Sequence, residues 1–75
     1  MRKGLDEWLK LSKEAREIRM RCANWSFIES QPPRIREALK YLIEDDDLYV
    51  ASRIAGVTIE EMNELRKKAN IPKVI

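Results

Sequence analysis

Histidine is absent from this chain, and cysteine occurs once, at Cys22. A single cysteine excludes an internal disulfide and a cysteine-based zinc site, and without histidine we expect no metal and no cofactor. No base stands beside Cys22 in the sequence, so we interpret it as a small buried hydrophobic residue. The chain also lacks a paired Ser–Lys or Cys–His arrangement and a glycine-rich phosphate loop. We therefore expect no enzyme activity.

Glycine and proline are scarce, at two and three residues. This scarcity argues against a sandwich or barrel, so we predict an all-α fold. No apolar run approaches the length that spans a bilayer, and Met1-Arg2-Lys3 leads into no signal-peptide segment, so we expect a cytoplasmic protein. The chain is 44% hydrophobic and 37% charged, which predicts a single globular domain with an ion-rich surface. Its heavy use of Lys, Arg and Glu favours a thermophilic source.

Positive charge is concentrated in the N-terminal half. Residues 1–37 hold nine Lys and Arg against six Asp and Glu, whereas residues 38–75 hold six against seven. The C-terminal half therefore lacks the simple basic footprint that is typical of a nucleic-acid-binding domain.

Residues 47–69 have the pattern of two short helices joined by a tight turn. Asp47 is a good N-cap for the first helix, and Gly56 stands where that helix must end in the left-handed conformation. Thr58 and Glu61 form a T-x-x-E capping box for the second helix. The apolar positions that would pack between the helices are Ala51, Ile54, Ala55, Val57, Met62, Leu65 and Ala69. We predict a helix-turn-helix.

The N-terminal segment, residues 1–30, is predicted as one long amphipathic helix from Leu5 to about Phe27. Its apolar positions alternate at spacings of three and four residues, which is typical of a coiled-coil seam. These positions are Trp8, Leu11, Ala15, Ile18, Cys22 and Trp25. The stripe forms either an oligomer interface, most simply of a homodimer, or ordinary core against the rest of the same chain.

Residues 31–75 are predicted to form the helix-turn-helix domain, which begins with a middle helix. Pro32-Pro33 ends the first helix and starts the next one. We interpret the acidic run Glu44–Asp47 as a solvated turn whose last member caps the following helix, rather than as a metal site. The tail Ile71–Ile75 either folds back on the core or lies extended against another chain.

From Arg36 to the end, the sequence REALKYLIEDDDLYVASRIAGVTIEEMNELRKKANIPKVI resembles a family of small prokaryotic antitoxin-like proteins. The matching residues are Glu37-Ala38-Leu39, Ala51, Ile54-Ala55-Gly56-Val57-Thr58, Glu61-Met62, Leu65 and Ile71-Pro72. The resemblance implies a DNA-binding module that regulates its own toxin–antitoxin operon, with another segment that neutralises a partner toxin. The acidic run in the connecting turn departs from that pattern, because relatives often carry glycine and lysine there.

The second helix of the motif is the predicted reading helix for DNA. At 3.6 residues per turn, its outer face carries Glu60, Asn63, Glu64 and Lys67. Asn63 suits adenine, and a methyl group of Thr58 or Ile59 can contact thymine, whereas the two glutamates suit a field of phosphates poorly. The predicted DNA-binding residues are Arg53, Thr58, Asn63, Arg66, Lys67 and Lys68. Arg34, Arg36 and Lys40 join this set if the fold brings them near.

A second function fits the same sequence. The motif can be a compact helical unit that serves protein contacts without binding DNA, in which case the acidic outer face suits a basic partner. We therefore carry two predictions forward, a DNA-binding regulator of the antitoxin type and a homodimeric interaction or assembly module.

Overall fold

Residues 3–73, the part of the chain that this computed structural model describes, form five α-helices and no strand. The helices are α1 (Lys3–Cys22), α2 (Trp25–Glu29), α3 (Pro33–Asp45), α4 (Leu48–Ala55) and α5 (Ile59–Lys68). The prediction of an all-α fold with a long N-terminal helix and a C-terminal helical unit is confirmed. None of these five helices is long and apolar enough to cross a bilayer. The last two residues of the predicted tail, and the side chains of residues 1–7, lie outside the described part.

The long N-terminal helix ends earlier than the sequence predicts. Helix α1 stops at Cys22, and Asn24 caps α2 by accepting a hydrogen bond from the Phe27 amide at 3.1 Å through Oδ1. The amide of Asn24 donates to the carbonyl of Ala69 at 2.7 Å. The prediction of one unbroken helix to Phe27 is therefore wrong. The helix does not continue through Asn24, because the Asn24 side chain caps α2 and its amide bonds to the C-terminal segment.

Helix α3 is the central element of the core. It packs most extensively against α4, and it also contacts α1, α2 and α5. Its inner face is fully buried at the four positions Ala38, Leu39, Leu42 and Ile43. These side chains meet Ile28 from α2, Ala51 from α4 and Met62 from α5 in one cluster. Burial of this apolar face is the main force that holds α4 and α5 in place.

The acidic run lies at the turn between α3 and α4. Asp46 adopts the left-handed conformation with φ 54°, and Asp47 caps α4 by accepting from the Val50 amide at 3.2 Å. The predicted capping role of Asp47 is confirmed, but the run is not a turn throughout, because Glu44 and Asp45 are the last two residues of α3.

Helices α4 and α5 form the predicted pair around Gly56. This glycine is left-handed, with φ 74°, and its amide donates to the carbonyl of Ser52. Thr58 accepts from the Glu61 amide at 3.1 Å, and the Glu61 carboxylate accepts from the Thr58 amide at 3.0 Å. Both halves of the capping box are therefore present, and the backbone between α4 and α5 reverses within three residues.

We expect Gly56→Val to lower the free energy of unfolding by about 2 kcal/mol, because a β-branched residue is strained at positive φ. A Cβ atom at this position would also lie 3.3 Å from Nη2 of Arg34. Gly56→Asn is the matched control, since asparagine tolerates the left-handed region, and it should lose clearly less stability. Urea unfolding followed by circular dichroism measures both variants. Equal losses would mean that crowding at Arg34, rather than backbone conformation, sets the requirement for glycine.

The C-terminal segment folds back on the chain, at least to Ile71. Asn70 has φ 56°, which reverses the chain after α5, and Ile71 is 1% exposed. Arg66 donates from Nη1 to the carbonyl of Ile71 at 2.8 Å, and Asn70 donates from Nδ2 to the carbonyl of Cys22 at 2.9 Å. Of the two alternatives for the tail, folding back on the core therefore holds for its first residue.

Candidate nucleic-acid interface

The outer face of α5 carries charges of both signs. Glu60, Glu64 and Lys67 are exposed, where the helical spacing predicts them. The Nζ atom of Lys67 lies 3.8 Å from Oε2 of Glu64, one turn away on the same helix. An exposed pair of this kind contributes little to stability, so Lys67 can exchange Glu64 for another anion. The face alone has no excess of positive charge.

Arg53, in the last turn of α4, and Lys68 are exposed cations of the motif. The guanidinium of Arg53 lies 5.8 Å from the centre of the Tyr49 ring, and its Nη1 donates to the Tyr49 hydroxyl at 3.1 Å. This contact holds the Arg53 side chain against α4 without neutralising its charge. Lys68 lies in the last turn of α5. Both side chains are available to an anionic partner.

Two of the predicted DNA contacts are engaged within the chain. The Nε atom of Arg66 donates to Oδ1 of Asn63 at 3.0 Å, and Nη1 of the same residue holds the carbonyl of Ile71. Both residues are half-buried. Arg66 therefore anchors the C-terminal segment and orients the Asn63 amide. Asn63 keeps its two amide protons and a second lone pair on Oδ1 for a base edge.

Thr58 is exposed, but its hydroxyl accepts the Glu61 amide proton and so acts first as a cap. The sequence predicts that the Thr58 methyl group contacts thymine. The methyl group can still make that apolar contact, because only the hydroxyl is used in the cap.

Among the three additional cations, the fold brings Arg34 to the turn of the motif. Its Nε donates to the carbonyl of Ile54 at 3.3 Å, beside Gly56. Arg36 instead donates to the Gln31 carbonyl at 3.3 Å, and Lys40 lies 3.7 Å from Glu29. No local sequence signal marks Arg34, because it lies in the first turn of α3 and contacts the end of a different helix, 20 residues away. Only the packing of α3 on α4 brings the two together.

The apolar stripe of α1 divides into a buried half and an uncovered half. Ala15 is 2% exposed and Ile18 is half-buried, whereas Trp8 and Leu11 are 56% and 53% exposed. Packing against α3 accounts for the buried half. The interface role that the sequence assigns to Trp8 and Leu11 stays a prediction.

The last two members of the stripe differ from the sequence interpretation. Cys22 is exposed, so its assignment as a buried hydrophobic residue is wrong. Cys22 is the last residue of α1, so the helical spacing that predicted its burial ends there. Trp25 belongs to α2, is partly exposed, and donates from Nε1 to the carbonyl of Met20 at 2.9 Å.

The corner formed by Glu44–Asp47 is strongly negative. Arg16 pairs with Glu44 at 3.1 Å, and Arg19 lies 3.9 Å from Asp46. Partial desolvation, together with the carboxylates of Asp45 and Asp47, raises the pKa of the Tyr41 phenol above its usual value. Within the described part of the chain, no group of three acidic or cysteine residues is placed to hold a metal ion. The negative charge of this corner disfavours phosphate binding. In this respect the corner differs from the same turn in the antitoxin-like pattern, which often carries glycine and lysine.

The cations of the described part of the motif therefore lie toward the ends of α4 and α5 and at the turn between them. Exposed cations lie on α4 and α5, and the guanidinium of Arg34 lies at the turn between these helices. The acidic corner lies at the opposite end of α4, where that helix begins. No family model, curated protein or solved structure matches this chain.

Proposed function

We propose that this protein is a small DNA-binding regulator of the antitoxin type, which represses the operon that encodes it. One observation carries the proposal. The α4–α5 pair is closed by Gly56 and the capping box and buried on one side against α3, and it leaves the outer side of α5 uncovered. A helix supported in this way is the element that enters the major groove in helix-turn-helix proteins.

In this arrangement the first turns of α5 meet base edges, and the flanking cations meet phosphates. Asn63, oriented by Arg66, offers its amide to a purine, and Thr58 offers a methyl group to thymine. Lys67, Lys68 and Arg53 supply the sequence-independent attraction. Glu60 and Glu64 reduce that attraction. They also restrict the bases that α5 can contact, since in the major groove a carboxylate can accept a hydrogen bond only from the amino group of cytosine or of adenine.

We expect the double variant Lys67→Ala/Lys68→Ala to bind DNA about tenfold more weakly and to reduce the slope of log K against log salt by about 1 to 2. The measurement is fluorescence anisotropy of the full chain with the DNA upstream of its own gene, at several salt concentrations. Lys13→Ala is the control, because Lys13 is an exposed cation in the first half of α1, away from the hydrogen bonds that join the end of α1 to the end of α5. Equal affinity of the double variant and the wild type would mean that α5 is not the contact face.

Arg66 is unsuitable for that test. Its replacement would release the Ile71 carbonyl and the Asn63 amide together, so that weaker binding would not separate a lost contact from a lost fold.

The toxin-binding part of the proposal rests on the resemblance over residues 36–75. It predicts that a gene adjacent to this one encodes a small toxin, such as a nuclease, and that the two proteins copurify when they are expressed together. Copurification lost on deletion of residues 1–14, which precede the contact of Arg16 with Glu44, with DNA binding kept, would assign toxin binding to the start of the N-terminal segment.

A second function is favoured by the net negative charge of the α5 outer face and by the engagement of Arg66 within the chain. This function is an interaction or assembly module that keeps the fold without binding DNA. It predicts no binding to the upstream DNA even at low salt, and the same anisotropy experiment therefore decides between the two functions.

A further inference from the structure

A shallow groove of about 410 Å³, here called the α3–α4 groove, lies between these two helices. Its lining side chains come from α3 and from one residue of α4, and they are Glu37, Lys40, Tyr41, Glu44, Asp45 and Ile54. The half-buried side chains of Tyr41 and Ile54 pack against the core cluster and form an apolar floor. The three carboxylates are exposed and form a rim. The groove therefore combines an aromatic floor with a charged edge.

Glu37, Tyr41 and Asp45 follow one another along the same face of α3 at intervals of four residues. At 1.5 Å per residue, each lies about 6 Å along the helix axis from the next. The Tyr41 ring therefore has one carboxylate a turn before it and another a turn after it. Desolvation and the charge of Asp45 both raise the pKa of the Tyr41 phenol, so the negative potential of the rim reaches the ring.

The charges of the rim are only partly compensated within the chain. Glu44 pairs with a cation of α1 at 3.1 Å, and Lys40 lies 3.7 Å from a carboxylate of α2. Glu37 and Asp45 pair with no cation among the side chains that the structure describes. Two uncompensated negative charges therefore flank the aromatic floor. They repel the phosphates of DNA and attract a cationic ligand that also covers apolar surface.

We propose that the α3–α4 groove binds a basic segment of a partner protein, with an arginine of that segment stacked on the Tyr41 ring between the carboxylates of Glu37 and Asp45. A guanidinium suits this position, because it is planar, stacks on an aromatic face and donates from its edges to carboxylates. The ammonium group of a lysine forms the ion pairs without the planar stacking. An apolar side chain next to the arginine covers Ile54. This proposal does not depend on DNA binding by α5.

Titration of the full chain with a synthetic peptide, followed by amide NMR spectra, tests the proposal. The probe is a short amphipathic peptide of leucine and arginine, and a second peptide carries lysine in place of arginine. We expect saturable binding at low salt, with the largest shifts around Tyr41 and Ile54, and weaker binding of the lysine peptide. Glu37→Gln/Asp45→Asn should weaken binding of the arginine peptide by about tenfold or more, because it removes both uncompensated charges and keeps the shape of the groove.

Glu60→Gln/Glu64→Gln is the matched control, because it removes the same net charge from the exposed face of α5 and should change the affinity by no more than about twofold. Tyr41→Leu keeps an apolar floor and should abolish the preference for arginine over lysine. Equal losses in the two charge variants would overturn the proposal, since the attraction would then be a property of the whole surface. Absence of saturable binding at low salt would overturn it too. So would shifts around Tyr41 that appear on concentrating the chain alone or on adding duplex DNA, because a second copy or DNA would then be the occupant.

Discussion

Replacing Arg19 by leucine is expected to lower the free energy of unfolding by about 3 kcal/mol. Arg19 is 5% exposed, and its Nε donates to the carbonyl of Ile43 at 2.8 Å. Its Nη2 reaches the carbonyl of Glu44 at 3.4 Å, and Nη1 lies 3.9 Å from Asp46. The guanidinium thus satisfies carbonyl groups at the end of α3 and faces a carboxylate there. Leucine would keep the aliphatic packing and leave these acceptors without a donor.

Arg21→Ala is the matched control for Arg19, because Arg21 lies two residues along the same helix and is exposed. Its replacement should change the free energy of unfolding by no more than about 0.5 kcal/mol. Urea unfolding at neutral pH measures both variants, and the loss in Arg19→Leu corresponds to a Tm lower by roughly 12–24 °C. Similar stabilities for the two variants would show that water replaces the Arg19 hydrogen bonds at little cost.

Ile71→Ala is expected to cost about 3 kcal/mol, the usual loss for truncating a fully buried aliphatic side chain. Ile71 is 1% exposed and belongs to the same cluster as Met62 and Leu42, although it lies beyond the last helix. The cavity would form where the C-terminal segment covers the core, so α5 should lose protection against amide exchange first.

Ile59→Ala controls for the change of residue type, because Ile59 is 45% exposed. It should cost no more than about 0.5 kcal/mol by urea unfolding. A loss in Ile71→Ala as small as that in Ile59→Ala would mean that the segment after α5 does not close the core in solution.

The helix-turn-helix could be predicted from sequence because its determinants are local. Asp47, Gly56, Thr58 and Glu61 act within four residues of their own position, through caps and a left-handed turn. The residues of the antitoxin-like pattern from Ala51 to Leu65 are largely these capping and packing positions. Such a pattern therefore predicts the fold more directly than it predicts a ligand.

The features that sequence analysis missed depend on contacts between distant residues. Helix α1 ends at Cys22 partly because Asn24 donates to Ala69, which lies 45 positions away in the chain. Periodicity cannot reveal such a bond. Arg19 presents the same difficulty, since nothing local distinguishes it from Arg21. Only the approach of the last turn of α3 makes one arginine buried and leaves the other exposed.

The contact that Arg66 makes could not be predicted from the sequence for the same reason. A basic residue near the end of a helix suits both a phosphate and a free carbonyl group. The choice between them follows from the reversal at Asn70, which returns the Ile71 carbonyl to within 2.8 Å of the guanidinium.

The hydrogen bonds that join residues 22–24 to residues 69–70 have a mechanical consequence. Asn24 holds the carbonyl of Ala69, and Asn70 holds the carbonyl of Cys22, so the end of α5 is fastened to the end of α1 on both sides of the crossing. These two hydrogen bonds restrict rotation of the end of α1 relative to the end of α5. If the predicted homodimer forms through α1 and binds DNA, the distance between its two DNA half-sites would depend on this junction of α1 with α5 rather than on a linker.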